Sequence, residues 1–475
     1  MAEPLAPLPS ADKTGNNKTQ RENEFMSTAL VILAAGKGTR MNSDIPKVLH
    51  PIAQAPMLVH AMRAGAVLSP ERTVIVTGHG SDAVAKVAAA EDDSAQIAMQ
   101  EEQLGTAHAV AQARDALAGF TGDVVVLYGD TPFLQPDTLE RMIAARAKND
   151  LVILGFEAAN PARYGRLVMN GDSLERIVEF KEATDQERAI TFCNSGLLAC
   201  DAETLFALID AVGNDNAAKE FYLTDVVEIA RNRGLKVTAV ACDEAQTLGV
   251  NSRTDLAAAD AVFQANARAE LLDLGVTLMA PETVYLAADT VIGRDTVIEP
   301  NVVFGPGVTV ESGATIRAFS HLEGCHVSRG AIVGPYARLR PGAELAENTR
   351  IGNFVEVKNA EIAEGAKVNH LSYIGDASVG AASNIGAGTI TCNYDGVMKH
   401  RTTIGENVFV GSNTMLVAPV TLGDGAMTAT GTVVTRDVES DALAVARAKQ
   451  DNKPGYARKL FDMLKAKKAR RDKGA

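Results

Sequence analysis

The stretch TVIGRDTVIEPNVVFGPGVTVESGATI, residues 290 to 316, decides the fold of the C-terminal half of the chain. Aliphatic residues fall every six positions, at Ile292, Ile298, Val310 and Ile316, and Phe304 fills the one aromatic place. A period of six matches neither the 3.6-residue turn of a helix nor the two-residue alternation of an isolated strand. It matches hexads that each form one flat face of a triangular coil, with the aliphatic side chain pointing into the prism of a parallel β-helix. The series starts at Leu286, reaches Leu322, slips by one to Val327, and continues at Val333, Leu339, Leu345, Ile351 and Val357. An irregular stretch is expected next. The series returns at Val379 and Ile385, and again at Ile404, Val410, Leu416, Leu422 and Val434. About nine coils fit between residues 274 and 437. TCNYDGVMKHRTT, residues 391 to 403, interrupts the hexads and is expected to project as a loop, where sites on rigid scaffolds commonly lie.

Upstream the pattern is different. From residue 29 to about 250, β-rich apolar runs at 29–35, 73–77, 123–130, 151–158, 190–200 and 236–242 alternate with helix-compatible stretches such as 56–68 and 106–117. Runs apolar at nearly every position suit strands covered on both faces, so the segment predicts a doubly wound, Rossmann-like α/β domain with a largely parallel sheet. Residues 254 to 273 are Ala-rich and predict one linker helix, capped by Thr254 or Asp255. The expected organisation is a disordered extension over 1–28, an α/β domain over 29–253, the linker helix over 254–273, a β-helix domain over 274–452 and a basic tail over 453–475. Met26 stands just before the first strand and is read as a possible start. The tail is read as a solvated terminus in preference to a basic helix.

Among 475 residues, Lys and Arg number 46 and Asp and Glu 59, a net charge of −13 that disfavours an extended nucleic-acid or anionic-lipid surface. Five cysteines, odd in number and widely spaced, oppose a disulfide framework or structural zinc and suit a reducing cytosol. No apolar run approaches the roughly 20 residues of a membrane span, and the N-terminus lacks a secretory h-region.

Several motifs carry chemistry. LAAGKGTRM, residues 33 to 41, follows the first strand; its glycines let backbone approach a ligand, and Lys37 and Arg40 add charge. It fits neither the Walker pattern nor G-x-G-x-x-G, and an ordinary strand-to-helix turn explains it as well. Lys47 in IPKVLHP reads as a phosphate contact or a solvated lysine. Gln100, Gln103, Gly105 and Thr106 in QEEQLGTAHA read as a base or phosphate contact, or as an N-cap by Thr106. Asp130 lies just past an apolar strand, where open sheets place ligands; it reads as a turn cap or as a magnesium ligand, with Asn251 as partner. In the prism, the polar residues that break the hexads are Arg340, Lys358, His370, Tyr373, Asn384, Asn393 and Tyr394. His370 reads as a general base or as a structural histidine.

LAAGKGTRM, EQLGTAHA, YGD, GPYARLRPG, GNFVEVK and NIGAGTITCNYDG together resemble a bacterial bifunctional family, the N-acetylglucosamine-1-phosphate uridyltransferases that are also glucosamine-1-phosphate acetyltransferases. The resemblance runs from Ala29 to about Arg447. It implies a left-handed coil, a homotrimer with sites in clefts between chains, a cytoplasmic enzyme, magnesium as cofactor, and acetyl-CoA and UTP as co-substrates. Leu33, Ala34, Ala35, Gly36, Gln100, Gly105 and Thr106 would then line the uridine pocket and Lys47 would meet phosphate. Tyr128, Gly165, Glu179 and Asn194 would hold N-acetylglucosamine 1-phosphate, and Asp130 and Asn251 the metal. His370 would be the base, Arg340 and Lys358 the clamp on the phosphate of glucosamine 1-phosphate, and Tyr373, Asn384 and Asn393 the contacts to sugar hydroxyls. Ala387, Ser412 and Arg447 would meet acetyl-CoA, with Asn393 and Tyr394 beside it and Thr430 where the family usually has Ala. Two rival readings keep both folds: a prism that serves only as an oligomerisation scaffold, and a catalytically silent sensor.

Overall fold

The computed structural model describes residues 27 to 472 except His79, Arg163, Ala217 and Ala218, so Met26 and most of the expected 1–28 extension lie outside the described residues. Contacts divide the chain into two units, one of residues up to His50 and Pro56–Asp255, the other of Pro51–Ala55 and Leu256 onward.

The first unit is built on nine strands: β1 (Thr28–Ala34), β2 (Arg72–Thr77), β3 (Gln96–Met99), β4 (Asp123–Tyr128), β5 (Leu151–Glu157), β6 (Arg166–Asn170), β7 (Ser173–Val178), β8 (Phe192–Asp201) and β9 (Val237–Cys242). Seven follow the order β9-β5-β8-β4-β1-β2-β3, and the β6/β7 hairpin attaches to β8. β1 pairs in parallel with β2 and β4, whereas β8 runs antiparallel to both β4 and β5. Every residue of β1 is buried because alternate side chains enter different cores: Ala29, Val31 and Leu33 on one face, Leu30, Ile32 and Ala34 on the other. The chain leaves β1 toward β2 and β3, then returns to β4 on its other side. That reversal opens a crevice at the strands' carboxyl ends.

Three expectations need correction. β3 has a single buried residue, Ala98, so it is an edge strand with no apolar run to reveal it. The β6/β7 hairpin, absent from the expected strands, turns at Gly171-Asp172, with Gly171 at φ +61°. The linker helix spans Arg253–Asp273 and is capped neither by Thr254 nor by Asp255. Ser252 caps it: the Asp255 amide donates to Ser252 Oγ (3.2 Å) and the Ser252 amide to Asp255 Oδ2 (2.9 Å), a reciprocal box.

The second unit is a parallel β-helix of short strands. One face carries ten of them in strict ladder order, each paired to the coil before and after. Most successive coils pair 17 or 18 residues apart, as in Thr315↔Ile332 and Val297↔Thr315. All twenty hexad positions named from the sequence are buried, from Leu286 to Val434. The stretch expected to be irregular is regular. After Val357 the register slips by one again, and Ile362, Val368 and Ile374 keep the interior filled before a third slip to Val379. Thr391 and Thr428 are polar hexad residues, which masked the repeat; both are buried, and Thr391 Oγ1 accepts from the Gly375 amide at 2.8 Å. The true insertion is therefore shorter than 391–403, lying between strands Ile390–Cys392 and Thr402–Ile404. Across it, coils pair 25 residues apart, as in Asn384↔Phe409. The basic tail is a helix, Tyr456–Asp472, with no buried residue. Among the described residues no helix is long and apolar enough to cross a membrane.

Because each coil is braced only by its neighbours, one empty hexad position weakens two interfaces. Phe304→Ala is expected to cost about 3–5 kcal/mol, read from the denaturant midpoint, whereas Val291→Ala, at an exposed position, should stay within about 0.5 kcal/mol.

Candidate functional sites

In the first unit the crevice beside β1 and β4 opens into two cavities of about 310 Å3 each. Leu33, Ala34, Ala35, Gly36, Lys47, Gln100, Gln103, Gly105 and Asp130 line one; Gly165, Glu179 and Asn194 line the other, with Tyr164 and Tyr222; Thr106 and Tyr128 line both. Lys37 and Arg40 are exposed and line neither. The polypeptide around the first cavity is tied by Gln103 Nε2 donating to the Ala35 carbonyl (2.7 Å) and Gln100 Nε2 to the Gly105 carbonyl (3.1 Å). Thr106 is not an N-cap; its Oγ1 accepts from the Leu223 amide at 2.9 Å and holds the facing loop. Gly38, at φ +59°, packs against Lys47, where a Cβ would lie 2.7 Å from Lys47 Cβ. The turn of the glycine-rich loop thus sets where the lysine stands.

Lys47 is the centre of the polar cluster. Its ammonium donates to the Asp130 carboxylate and, at 3.2 Å, to Asn251 Oδ1, with the Lys47 and Asp130 side chains only 13% and 16% exposed. One cation therefore stands between the two residues expected to ligate metal. Asn251 is held by residues the sequence did not single out. Arg253 Nε donates to the Met41 carbonyl (3.2 Å), and its Nη1 lies 3.3 Å from His50 Nδ1, joining the Asn251 segment to both motif loops. Burial, then the Arg253 charge, keeps His50 below its usual pKa and neutral. In the second cavity, burial raises Glu179, reinforced by Glu182 and Asp225. Burial, with the charges of Asp130 and Glu179, pushes the Tyr128 phenol far above its ordinary value, so it stays a neutral hydrogen-bonding group.

In the second unit, the ladder arranges the candidates in stripes. His370 pairs directly with Asn353, and its Nδ1 lies 2.7 Å from Asn353 Oδ1. Because a carbonyl oxygen can only accept, Nδ1 carries the proton and Nε2 keeps its lone pair, turned to solvent. Ala387, Ser412 and Thr430 continue the His370 row, each three residues past the paired positions Asn384, Phe409 and Met427, and Arg447 Nη1 donates to the Thr430 carbonyl (2.6 Å). Asn384 lies on the same face. Arg340, Lys358 and Tyr373 lie on the adjoining face beyond the Leu371 corner. Arg340 pairs with Glu356 at 2.8 Å. The Asn393 amide is turned inward: Nδ2 donates to the Asp376 carboxylate and lies 3.3 Å from Tyr373 Oη. Tyr394 is 60% exposed.

Asn353, one coil before His370, was legible from the 17-residue spacing and went unread. Lys399, near enough to Lys358 to feel its charge, carried no sequence signal because the loop has no repeat to index it. Among the described residues no three His, Cys, Asp or Glu cluster as a metal site, and burial pushes the Cys242 and Cys325 thiols up to about 11 and about 12, which leaves them inert as nucleophiles.

A family model of the MobA-like NTP transferase domain matches residues 30–194, and one of the bacterial transferase hexapeptide (six repeats) matches 289–324 and 401–436. The chain is 86% identical to the Bifunctional protein GlmU of Ruegeria pomeroyi over 448 residues, covering 94% of this chain and all of that one. It is 76% identical to that of Ruegeria sp. TM1040 and 67% to that of Roseobacter denitrificans, over 94% and 95% of this chain and the whole of each relative. The chain belongs to the GlmU family of bifunctional proteins, enzymes that combine uridyl transfer and acetyl transfer in the synthesis of UDP-N-acetylglucosamine.

Proposed function

We propose that the paired cavities of the first unit hold the two uridyl-transfer substrates, UTP against Leu33–Gly36, Gln100 and Gly105, and N-acetylglucosamine 1-phosphate against Gly165, Glu179 and Asn194. The observation that carries this is the shared wall of Thr106 and Tyr128, across which the reacting phosphates would meet near Lys47 and Asp130. The residues fit magnesium: a carboxylate and an amide oxygen already bracket one cation, the Lys47 ammonium, and magnesium favours one or two such oxygens completed by substrate phosphates. Asp130 and Asn251 would hold it, and when bound it neutralises charge on the triphosphate. Lys47, turned from Asp130 to a phosphate oxygen, shares that task. The sugar-phosphate oxygen then attacks the α-phosphorus and pyrophosphate departs, with rate coming from alignment and charge neutralisation.

For acetyl transfer, His370 Nε2 takes the proton of the glucosamine 1-phosphate amine as its nitrogen bonds to the thioester carbonyl carbon; the carbon–sulfur bond breaks and coenzyme A leaves as the thiolate, to be protonated. Arg340 and Lys358, joined by Lys399, receive the sugar phosphate, and Tyr373 and Asn384 its hydroxyls. The row from His370 through Ala387 and Ser412 to Thr430 advances about 4.8 Å per coil, a straight track suited to the extended pantetheine arm, with Arg447 at its end. Asn393 would act on the site through the loop it anchors, and Tyr394 from the exposed loop surface. A homotrimer would set these two stripes, which meet at one corner of the prism, in clefts between chains. An exposed stack, Phe319 on Tyr336 (4.8 Å) and Tyr336 on Phe354 (5.3 Å), supplies apolar area at that corner. Five unpaired cysteines fit a cytoplasmic enzyme.

Purified protein given glucosamine 1-phosphate, acetyl-CoA, UTP and magnesium should form UDP-N-acetylglucosamine, and omission of any one should stop it. Asp130→Ala is expected to abolish pyrophosphate release and spare thiol release. His370→Ala should do the reverse, with a loss of about 10²–10⁴ in acetyl transfer; equal loss of both activities in either variant would refute the division. An added Cβ at Gly36 meets nothing within 4 Å, so Gly36→Ala should leave the melting temperature unchanged yet raise KM for UTP. Light scattering should give three times the chain mass.

A further inference from the structure

We propose that Asp376 is a positioning residue for acetyl transfer: it anchors the loop after Asn393 and counterbalances Lys358 and Lys399, so that the two ammoniums stand together where the sugar phosphate arrives. This rests on the reading that Lys358 receives that phosphate. Asp376 lies in the strand Tyr373–Val379, is 91% buried and adopts φ +48°, the left-handed conformation that Asp tolerates and that other residues of this coil, such as Asn359 and Leu371, share. Its Oδ1 accepts from Asn359 Nδ2 at 2.6 Å and its Oδ2 from Asn393 Nδ2. Lys358 and Lys399 supply the neighbouring positive charge. Burial opposes ionisation, but the two amides and the two lysines outweigh it and hold the carboxyl below the usual range.

The loop it anchors is tied to itself beyond that point. The His400 amide donates to the Asn393 carbonyl at 2.8 Å, Tyr394 bridges Lys399, and Asp395 accepts from the Val397 and Met398 amides and meets His400 Nε2 at 2.7 Å. A second tether, Arg401 to Glu361 at 3.1 Å, lies beyond Lys399 on an exposed face. The place of Lys399 therefore follows from the Asn393 amide, and the Asn393 amide from Asp376. Neighbouring ammoniums repel, and Lys358 holds Lys399 below the ordinary lysine range. Asp376 carries a negative charge that both lysines feel. Without it, Lys399 would swing to solvent and the clamp would have to be reassembled by each substrate.

The sign of the effect is the test, because removing a nearby carboxylate would by simple electrostatics strengthen phosphate binding. Acetyl transfer is measured by thiol release on the full chain for wild type, Asp376→Asn, Asp376→Glu, Lys358→Met, Lys399→Met and the Asp376→Asn/Lys399→Met pair, with uridyl transfer by the same chains reporting folding. Asp376→Asn should raise KM for glucosamine 1-phosphate and the inhibition constant of inorganic phosphate about tenfold, with KM for acetyl-CoA unchanged and kcat within about threefold. Asp376→Glu should restore much of it, and the double variant should be no worse than Lys399→Met alone. An unchanged or lowered KM in Asp376→Asn, or losses that multiply in the double variant, would overturn the proposal. If Lys358→Met and Lys399→Met both leave KM unaltered, the phosphate reading itself fails. Should Asp376→Asn lose uridyl transfer as well, Asn393→Ala cuts the same tie from the loop side; it should raise KM alike, and no rise would overturn the inference.

Discussion

In a parallel coil, each strand finds its hydrogen-bond partners one turn away, so the interior side chain and the exterior residue of every rung are placed by the same ladder. That constraint organises the acetyl-transfer half. Filling the prism with Leu, Ile and Val at every sixth residue makes the coils stack, and stacking turns residues 17, 18 or 25 apart in sequence into neighbours about 4.8 Å apart in space. His370, Ala387, Ser412 and Thr430 form a line for that reason alone. The same ladder sets Asn353 beneath His370, where its carbonyl fixes the imidazole tautomer.

The uridyl-transfer half solves a different electrostatic problem. A triphosphate and a sugar phosphate must be brought together, and the sheet meets this by ending its strands at a crevice with Lys47, Asp130 and Asn251 clustered at its lip. The cluster is balanced without ligand, because the lysine occupies the space between its two oxygen donors. In the prism the corresponding balance is struck with the signs reversed: two lysines are held beside one buried carboxylate. In both places a group of opposite charge stands beside the residues proposed to bind substrate, which on that reading would spare binding energy otherwise spent on reorganisation.

The places where the sequence misled share a physical cause. Gln96–Met99 lacks an apolar run because it is an edge strand, and Thr391 and Thr428 hid two hexads because a buried hydroxyl that finds a backbone partner can stand where an aliphatic residue normally does. Slips of one residue after Val357 and Ile374 looked like disorder in the repeat, although the coil absorbs them as 17-residue rungs. Thr106 has the composition of an N-cap and is instead an acceptor for a distant amide, since Gly105 takes the cap position.

Periodicity alone determined the two architectures and their order, because burial on both faces of a sheet and burial inside a prism each leave a pattern that survives without knowing any contact. It also indexed His370 and Arg340 as polar breaks in an otherwise smooth surface. Tertiary structure decided the rest. Lys47 and Asn251 are 204 residues apart and meet only because the chain closes the crevice, and Asp376 reaches Asn393 at the root of a loop that has no period to locate it. A repeat reports which residues point inward, whereas charge pairing depends on distances that the chain sets only after it has folded.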